Sequence, residues 1–348
     1  MLLNLYDYKA AAAEKMDPPA YAYYAGGVAE NIARDGNRQA FDQLRLRPKM
    51  LRNVSQISTE CEIMGIKTEA PIMIAPAAMH KLAHPDGEMG TARAAQRAGI
   101  IQVLSTMSTV SVEDVARVGH NLWFQLYVFR DRAISEQIVA RAEASGAQAL
   151  VVTLDVPTPG LRENLIRAGF TSTSQYDFPN FASETSSKDG RVMHHAANTF
   201  DPSLSWKDIE WLASLTRLPI WVKGILRGDD AIMALDHGVK GIMVSNHGGR
   251  QLDTAIAPID ALPEVAAAVD GRCELIIDGG IRRGTDIIKA IALGAKAVMI
   301  GRPPLWGLAV DGEEGAYNVL KLLIDELENG MMQCGCPRLS DIGRDLVV

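Results

Sequence analysis

From Pro71 onward the chain alternates short, wholly apolar runs with longer segments whose apolar residues recur at helical spacing. The runs are PIMIAP (71–76), IIQVLS (100–105), LWFQL (122–126), ALVVTL (149–154), PIWVK (219–223), GIMVS (241–245), ELIID (274–278) and AVMIG (297–301). They lack the polar alternation of a half-exposed sheet, which predicts strands buried on both faces. The intervening segments predict helices over 86–98, 132–145, 205–215, 229–237, 258–269, 284–293 and 313–328. Ser111, with Asp114 three residues on, has the pattern of a capping box. Several helical segments end in Ala-Gly, Ser-Gly, His-Gly or Leu-Gly, which suits a left-handed residue at a helix C-terminus.

Eight strands alternating with helices over roughly 250 residues predict an α/β chain closed into one (β/α)8 TIM barrel. An open doubly wound sheet would normally carry a GxGxxG turn after its first strand, and none is present there. Residues 1–348 are therefore read as one domain with two additions. The N-terminal extension, 1–70, predicts short helices near 21–25 and 30–42 and a hairpin that caps the closed end or folds towards the mouth. The stretch 168–202 after the fourth strand is polar, rich in Ser, Thr and Asn, and longer than most connections. It predicts a lid or a poorly ordered loop.

Composition narrows the function classes. A content of 47 % hydrophobic and 22 % charged residues is that of an ordinary globular chain, and a net charge of −7 disfavours nucleic acid and anionic membranes. Cys61, Cys273, Cys334 and Cys336 make no zinc-site spacing and are expected as reduced thiols. No apolar run is long enough for a membrane span, no signal peptide is predicted, and DLVV is not a peroxisomal address. The expected location is the cytoplasm. No metal site is predicted: the His194-His195 pair reads as ordinary loop residues, as do His80, His84, His120 and His237.

In a barrel of this type the reactive groups sit where strands end. The strand ends here are followed by Ala77-Ala78-Met79, Ser105-Thr106-Met107, Gln125-Leu126-Tyr127, Thr153 and Asp155, Lys223, Ser245-Asn246-His247, Asp278-Gly279-Gly280 and Gly301-Arg302. Polar groups thus gather at one end. The last two junctions pair glycines with Arg282 and Arg302, which points to a phosphate site. In SNHGGRQLD, His247 stands three residues before Arg250, a cation that could hold a carboxylate. Asp155 could stabilise the imidazolium form of His247.

Together, IAPAAM, FQLYVFRDR, VTLDVP, WVKG, SNHGGRQLD, DGGIRRGTD and GRP closely resemble the FMN-dependent 2-hydroxy acid oxidase/dehydrogenase family, with its glycolate oxidase and lactate oxidase members. The likeness runs over nearly the whole chain. It implies FMN as cofactor and His247 as the base, with Asp155 its partner. It implies Arg250, Arg162, Tyr23 and Tyr127 as the groups that meet the carboxylate and hydroxyl of a small 2-hydroxy acid. By the same likeness Lys223 lies beside flavin N1 and O2, and Ala77 and Ala78 line the flavin near N5. Ser105, Gln125 and Thr153 would bond its ring, and Ser245 belongs to the same cofactor set. Asp278, Gly280, Arg282, Gly301 and Arg302 would hold the phosphate.

The chain departs from its relatives in places. Leu161 and Leu165 neighbour Arg162, and Arg167 competes with it in a shifted loop. Met107 replaces an aromatic residue at the substrate pocket and Pro159 an aliphatic one, which implies tolerance of side chains larger than that of glycolate. Ala78 near N5 resembles the oxidases, implying O2 as acceptor and hydrogen peroxide as product; a dehydrogenase using a quinone or other acceptor is the alternative. Further alternatives are another flavin-barrel reaction, such as an isopentenyl diphosphate isomerase-like one, and a non-catalytic flavin-binding protein. The resemblance also implies a homo-oligomer, a tetramer or octamer.

Overall fold

The computed structural model describes residues 1–119, 121–170, 176–181 and 199–348. All eight apolar runs form strands: β3 (Ile72–Ile74), β4 (Ile101–Ser105), β5 (Asn121–Leu126), β6 (Leu150–Thr153), β7 (Ile220–Ile225), β8 (Gly241–Val244), β9 (Glu274–Ile277) and β10 (Ala297–Ile300). Each pairs in parallel with the next, and β10 pairs with β3 to close the barrel. Mandatory burial of both faces explains the continuous apolar runs, because one face meets the helices and the other fills the barrel.

The two faces separate cleanly by residue parity. Ile72, Ile74, Leu104, Phe124, Val152, Val222, Val244 and Ile277 point outwards into the large core shared with the helices. Met73, Ile101, Val103, Trp123, Val151, Trp221, Met243, Ile276 and Met299 point inwards and pack on one another. Trp123 and Trp221 meet with ring centroids 4.9 Å apart. Continuing the inward parity past this apolar layer reaches Ser105, Gln125, Thr153, Lys223, Ser245 and Asp278. The barrel interior is thus apolar below and polar above.

The N-terminal extension serves both ends. A hairpin of β1 (Cys61–Ile63) and β2 (Ile66–Thr68) lies under the barrel, where Ile63, Met64 and Ile66 join the inner apolar cluster. The indole N–H of Trp221 donates to Met64 Sδ at 3.2 Å. Helices α2 (Pro18–Ala25) and α3 (Ile32–Gln43) lie at the opposite end, beside the mouth. An additional helix, α1 (Leu5–Lys15), precedes them and packs on the C-terminal helix. Sequence periodicity misses α1 because the run Ala10–Ala13 blurs its apolar stripe. Its start is nevertheless well capped, with Asn4 Oδ1 accepting from the Tyr6 and Asp7 N–H groups at 2.8 and 3.1 Å.

The C-terminal helix, predicted over 313–328, is longer. It spans Arg302–Cys334, broken at Asp311 and Gly312. Pro303 and Pro304 occupy its first turn, where a missing N–H costs nothing. The predicted lid, 168–202, falls largely outside the described residues, as do the His194-His195 pair and His120. Its described portion is pinned: Asn180 accepts from Val112 N–H at 2.9 Å and donates to Ser108 Oγ at 2.6 Å. Phe200 bridges to Phe129. The four cysteines are free thiols. Among the described residues no helix is long and apolar enough to cross a membrane, and no group of three or more His, Cys, Asp or Glu could hold a metal.

Candidate active site

A cavity opens at the C-terminal ends of the strands, with about 1220 Å³ of empty space including its opening to solvent.

At its centre, His247 Nδ1 lies 2.9 Å from Asp155 Oδ1. The two come from the ends of β8 and β6. His247 adopts a left-handed backbone (φ 58), followed by Gly248 and Gly249 with φ of 64 and 69. Three such residues in a row turn the chain sharply, and a non-glycine residue in that region is uncommon. The His247 N–H donates to Ser245 Oγ at 3.0 Å, which helps to hold the turn. Burial lowers the imidazole pKa below its ordinary value; nearby Lys223 and Arg162 push the same way, and Asp155 opposes them. For Asp155, burial resists ionisation, but the charge and hydrogen bond of His247 and the charge of Lys223 prevail and hold the carboxyl below its usual range.

Lys223, buried within the barrel, donates to Ser245 Oγ at 2.8 Å and pairs with Asp278 Oδ2 at 3.1 Å. Burial alone would lower its pKa, yet the Asp278 and Asp155 carboxylates raise it, so the ammonium is retained. The sequence grouped Asp278 with the phosphate ligands. The structure places its carboxylate against Lys223, with Oδ1 buried and lacking a protein partner.

Arg162 and Arg250 both lie over the Tyr23 ring, at 5.8 and 5.1 Å from its centroid. Arg250 Nη1 donates to the carbonyls of Tyr23 and Gly26 at 2.7 and 3.2 Å, tying α2 to the mouth. Arg162 differs: its Nε and Nη1 are buried without a partner among the described residues. Burial and the nearness of Arg162 depress Arg250 to about 10. Tyr127 completes this side, its phenol pKa raised by burial and by the Asp155 charge. Arg167 pairs instead with Glu163, on the same short helix.

The loops after β9 and β10 form the opposite end. Gly279 and Gly280 have φ of 87 and 88, and a side chain on Gly280 would meet the Asn37 carbonyl oxygen at 2.2 Å. Only glycine fits there. Arg282 stacks 4.9 Å over Trp306, and its pKa is depressed to about 10 by burial and by Arg38. Arg302 donates from Nε to Tyr24 O, from Nη1 to Gly248 O and from Nη2 to Gly26 O, at 2.7, 3.0 and 2.9 Å. It therefore stitches α2 and the His247 loop together beside the cavity. Burial, Arg250, Arg282, Arg34 and Arg162 together drive its pKa well below the ordinary guanidinium value.

Ala77, Ala78, Ser105, Met107, Tyr23, Tyr127, Arg162, Lys223, His247 and Arg250 line the cavity, as do Asp278, Gly280, Arg282, Gly301 and Arg302. Gln125, Thr153, Ser245 and Asp155 are not among its lining residues, but Gln125, Ser245 and Asp155 hydrogen-bond to residues that are. Gln125 Oε1 accepts from Ser105 Oγ at 3.2 Å, while its Nε2 has no partner. This donor set suits FMN. Arg282 and Arg302 offer positive charge for a phosphate, Asp278 Oδ1 a free acceptor for ribityl hydroxyls, and Gln125 Nε2 and Lys223 donors for the polar edge of the ring.

Sequence reasoning missed three contributors. Tyr24 hydroxyl donates to the Met79 carbonyl, fixing the turn after β3. Gln251 Nε2 donates to the Asp155 and Thr158 carbonyls, both at 3.0 Å. Phe200 lines the cavity and stacks on Tyr127 at 4.6 Å. Tyr24 stands beside Tyr23 and Gln251 inside SNHGGRQLD, where their neighbours drew the attention; Phe200 follows a polar stretch with no periodic signal.

A family model described as FMN-dependent dehydrogenase matches residues 12–348. L-lactate oxidase of Nostoc sp. is 46% identical over 356 residues, covering 98% of this chain and 96% of that protein. Glycolate oxidase 1 of Oryza sativa subsp. indica is 46% identical, with 99% and 95% covered. 2-Hydroxyacid oxidase 2 of Homo sapiens is 44% identical, with 99% and 98% covered. A solved structure of mandelate oxidase superposes with a TM-score of 0.93 at 40% identity, covering 100% of this chain and 98% of that one.

Proposed function

Because the chain belongs to the FMN-dependent dehydrogenase family, we propose that it is an FMN-dependent oxidase of (S)-2-hydroxy acids, which it converts to 2-oxo acids. The observation that carries this reading is the meeting of a base and a carboxylate site in one cavity: His247 on Asp155, and Arg162 with two buried unpartnered nitrogens.

Arg162 and Arg250 bind and orient the substrate carboxylate, for which guanidinium geometry is well matched. Tyr23 and Tyr127 bound the same space and position the hydroxyl. Neutral His247 takes the hydroxyl proton at Nε2, and Asp155 stabilises the imidazolium that results. FMN, which Arg282, Arg302, Asp278 and Lys223 would hold, would supply the two-electron acceptor for the pair released from substrate C2. Lys223 holds positive charge at the cofactor end of the cavity, where negative charge develops. Tyr23, Met107, Phe200 and Pro159 bound the substrate side of the cavity with largely apolar surface. That surface supports substrates with side chains larger than glycolate's.

We take O2 as the acceptor, giving hydrogen peroxide, a reading supported by Ala78 in the cavity wall and by relatives named as oxidases. We also propose a homo-oligomer, which the family resemblance supports, and a cytoplasmic location. Anaerobic mixing of the yellow protein with lactate, glycolate or mandelate tests the function: prompt bleaching of the flavin is expected. A flavin that stays oxidised with every 2-hydroxy acid rejects it. Reoxidation with air and assay for peroxide, beside a dye-reduction assay, then separates oxidase from dehydrogenase.

A further inference from the structure

Helix α3 belongs to the N-terminal extension, far in sequence from the barrel residues that carry the chemistry. Its Asn37 is nevertheless almost wholly buried, with 2% of its surface exposed, and so is Asn246 at 4%, the residue just before His247. The two amides face each other reciprocally. Asn37 Nδ2 donates to Asn246 Oδ1 at 2.8 Å, and Asn246 Nδ2 donates to Asn37 Oδ1 at 2.7 Å. Asn246 spends its remaining capacity on its own loop, accepting from Gly249 N–H and donating to Ile256 O, both at 3.1 Å. Every donor and acceptor of the Asn246 amide is therefore used, and half of them depend on Asn37.

The loop so held is the one that needs holding. Residues 247–249 are all left-handed, and His247 pays a steric cost that the surroundings must offset. Asn37 also touches the other end of the cavity: its carbonyl and amide lie where side chains on Gly280 and Gly279 would be. The next residue, Arg38, donates to Gly280 O at 2.8 Å and to Asp286 Oδ1 at 3.0 Å. Lys289 Nζ anchors the end of α3 through Phe41 O at 2.8 Å. One helix is thus braced on the phosphate-end loop while its Asn37 grips the loop of the base.

We propose that Asn37 is a positioning residue for the reaction, which fixes His247 over the substrate through the reciprocal amide pair with Asn246. The inference rests on the assignment of His247 as the base. Asn37 touches neither substrate nor reacting atoms, so its loss acts on the geometry of proton transfer more than on substrate affinity.

The test uses FMN-loaded Asn37→Leu, which is close in size and cannot form the pair. At saturating substrate the anaerobic flavin-bleaching rate should fall by about ten- to a hundredfold, the scale set by small misplacements of a reacting group. KM for the hydroxy acid should stay within about threefold, because the arginines are untouched. FMN affinity, read by fluorescence titration of the apoprotein, should likewise change by less than about threefold. A bleaching rate within about twofold of the parent, or a loss expressed wholly in KM or in FMN binding, overturns the proposal. Should Asn37→Leu fail to fold, Asn37→Asp carries the test, since it keeps the shape and the bond accepted from Asn246 Nδ2. Its added negative charge should also raise the His247 titration, followed by nitrogen NMR of histidine-labelled resting enzyme. A parent-like bleaching rate with an unmoved titration rejects the link. If the parent never bleaches but the Asn37→Asp titration moves, the functional reading fails and the Asn37–His247 link stands.

Discussion

Asp155 meets His247 at Nδ1, 2.9 Å away, and that single contact decides which nitrogen of the ring is free to react. The carboxyl is held below its usual range and is therefore an acceptor only. Nδ1 must carry the proton, which leaves the lone pair on Nε2. Replacing Asp155 by Asn removes both the charge and this choice of tautomer. Turnover of Asp155→Asn is expected to fall by about a hundredfold or more, with FMN still bound. Steady-state turnover per bound flavin is the measurement, and parent-like turnover would remove Asp155 from the reaction.

The pH profile follows from the same pair. His247 must be neutral to accept a proton, and burial, Lys223 and Arg162 hold its pKa below the ordinary value. Activity is present above that pKa and lost as pH falls through it, so the acid limb of kcat/KM should lie below about 6.5. Removing a cation weakens the depression, so Arg162→Met should move the limb upwards. A limb above the ordinary histidine range would contradict the burial of His247.

Arg162 and Arg250 should separate in a second way. A lost charge-assisted hydrogen bond costs about 1.5–3 kcal/mol, so Arg162→Met should lose about ten- to a hundredfold in kcat/KM. Its Nε and Nη1 have no partner among the described residues, so thermal stability should change little. Arg250→Met also breaks the bonds to Tyr23 and Gly26 carbonyls and should lower the melting temperature as well. Equal thermal shifts in the two variants would count against this division.

Gly224 tests how the backbone sets Asp155. It has φ 113, and a Cβ there would lie 2.7 Å from the Asp155 Cβ. Gly224→Ala should lose about 1–3 kcal/mol of stability and displace the carboxylate, with turnover falling even in the folded fraction. Thermal melting and turnover per flavin check the two effects separately.

Much of this site was legible in the sequence because a strand has a period of two. Once the inward parity of β6 is known from Val151, Thr153 and Asp155 follow on the same side; Trp221 likewise leads to Lys223, and Met243 to Ser245. Glycines marked the close approaches at 279–280 for a similar reason, since their backbone conformations exclude other residues. What was illegible are the contacts between distant segments. Nothing local to Asn37 announces a partner at Asn246, and the role of α3 emerges only when it lies across two barrel loops. Charge was also hard to apportion. Arg302, a phosphate candidate by type, also binds three backbone carbonyls, which no local pattern shows. Asp278, grouped with the same ligands, faces Lys223.

Among the described residues, the hairpin beneath the barrel and the tryptophan pair within it fill the floor, and the cavity lies at the other end. Fuel, spent product and whatever collects the electrons would then meet at that end. Residues that line it, Phe200 and Met107 among them, therefore bear on traffic as well as on which molecule fits.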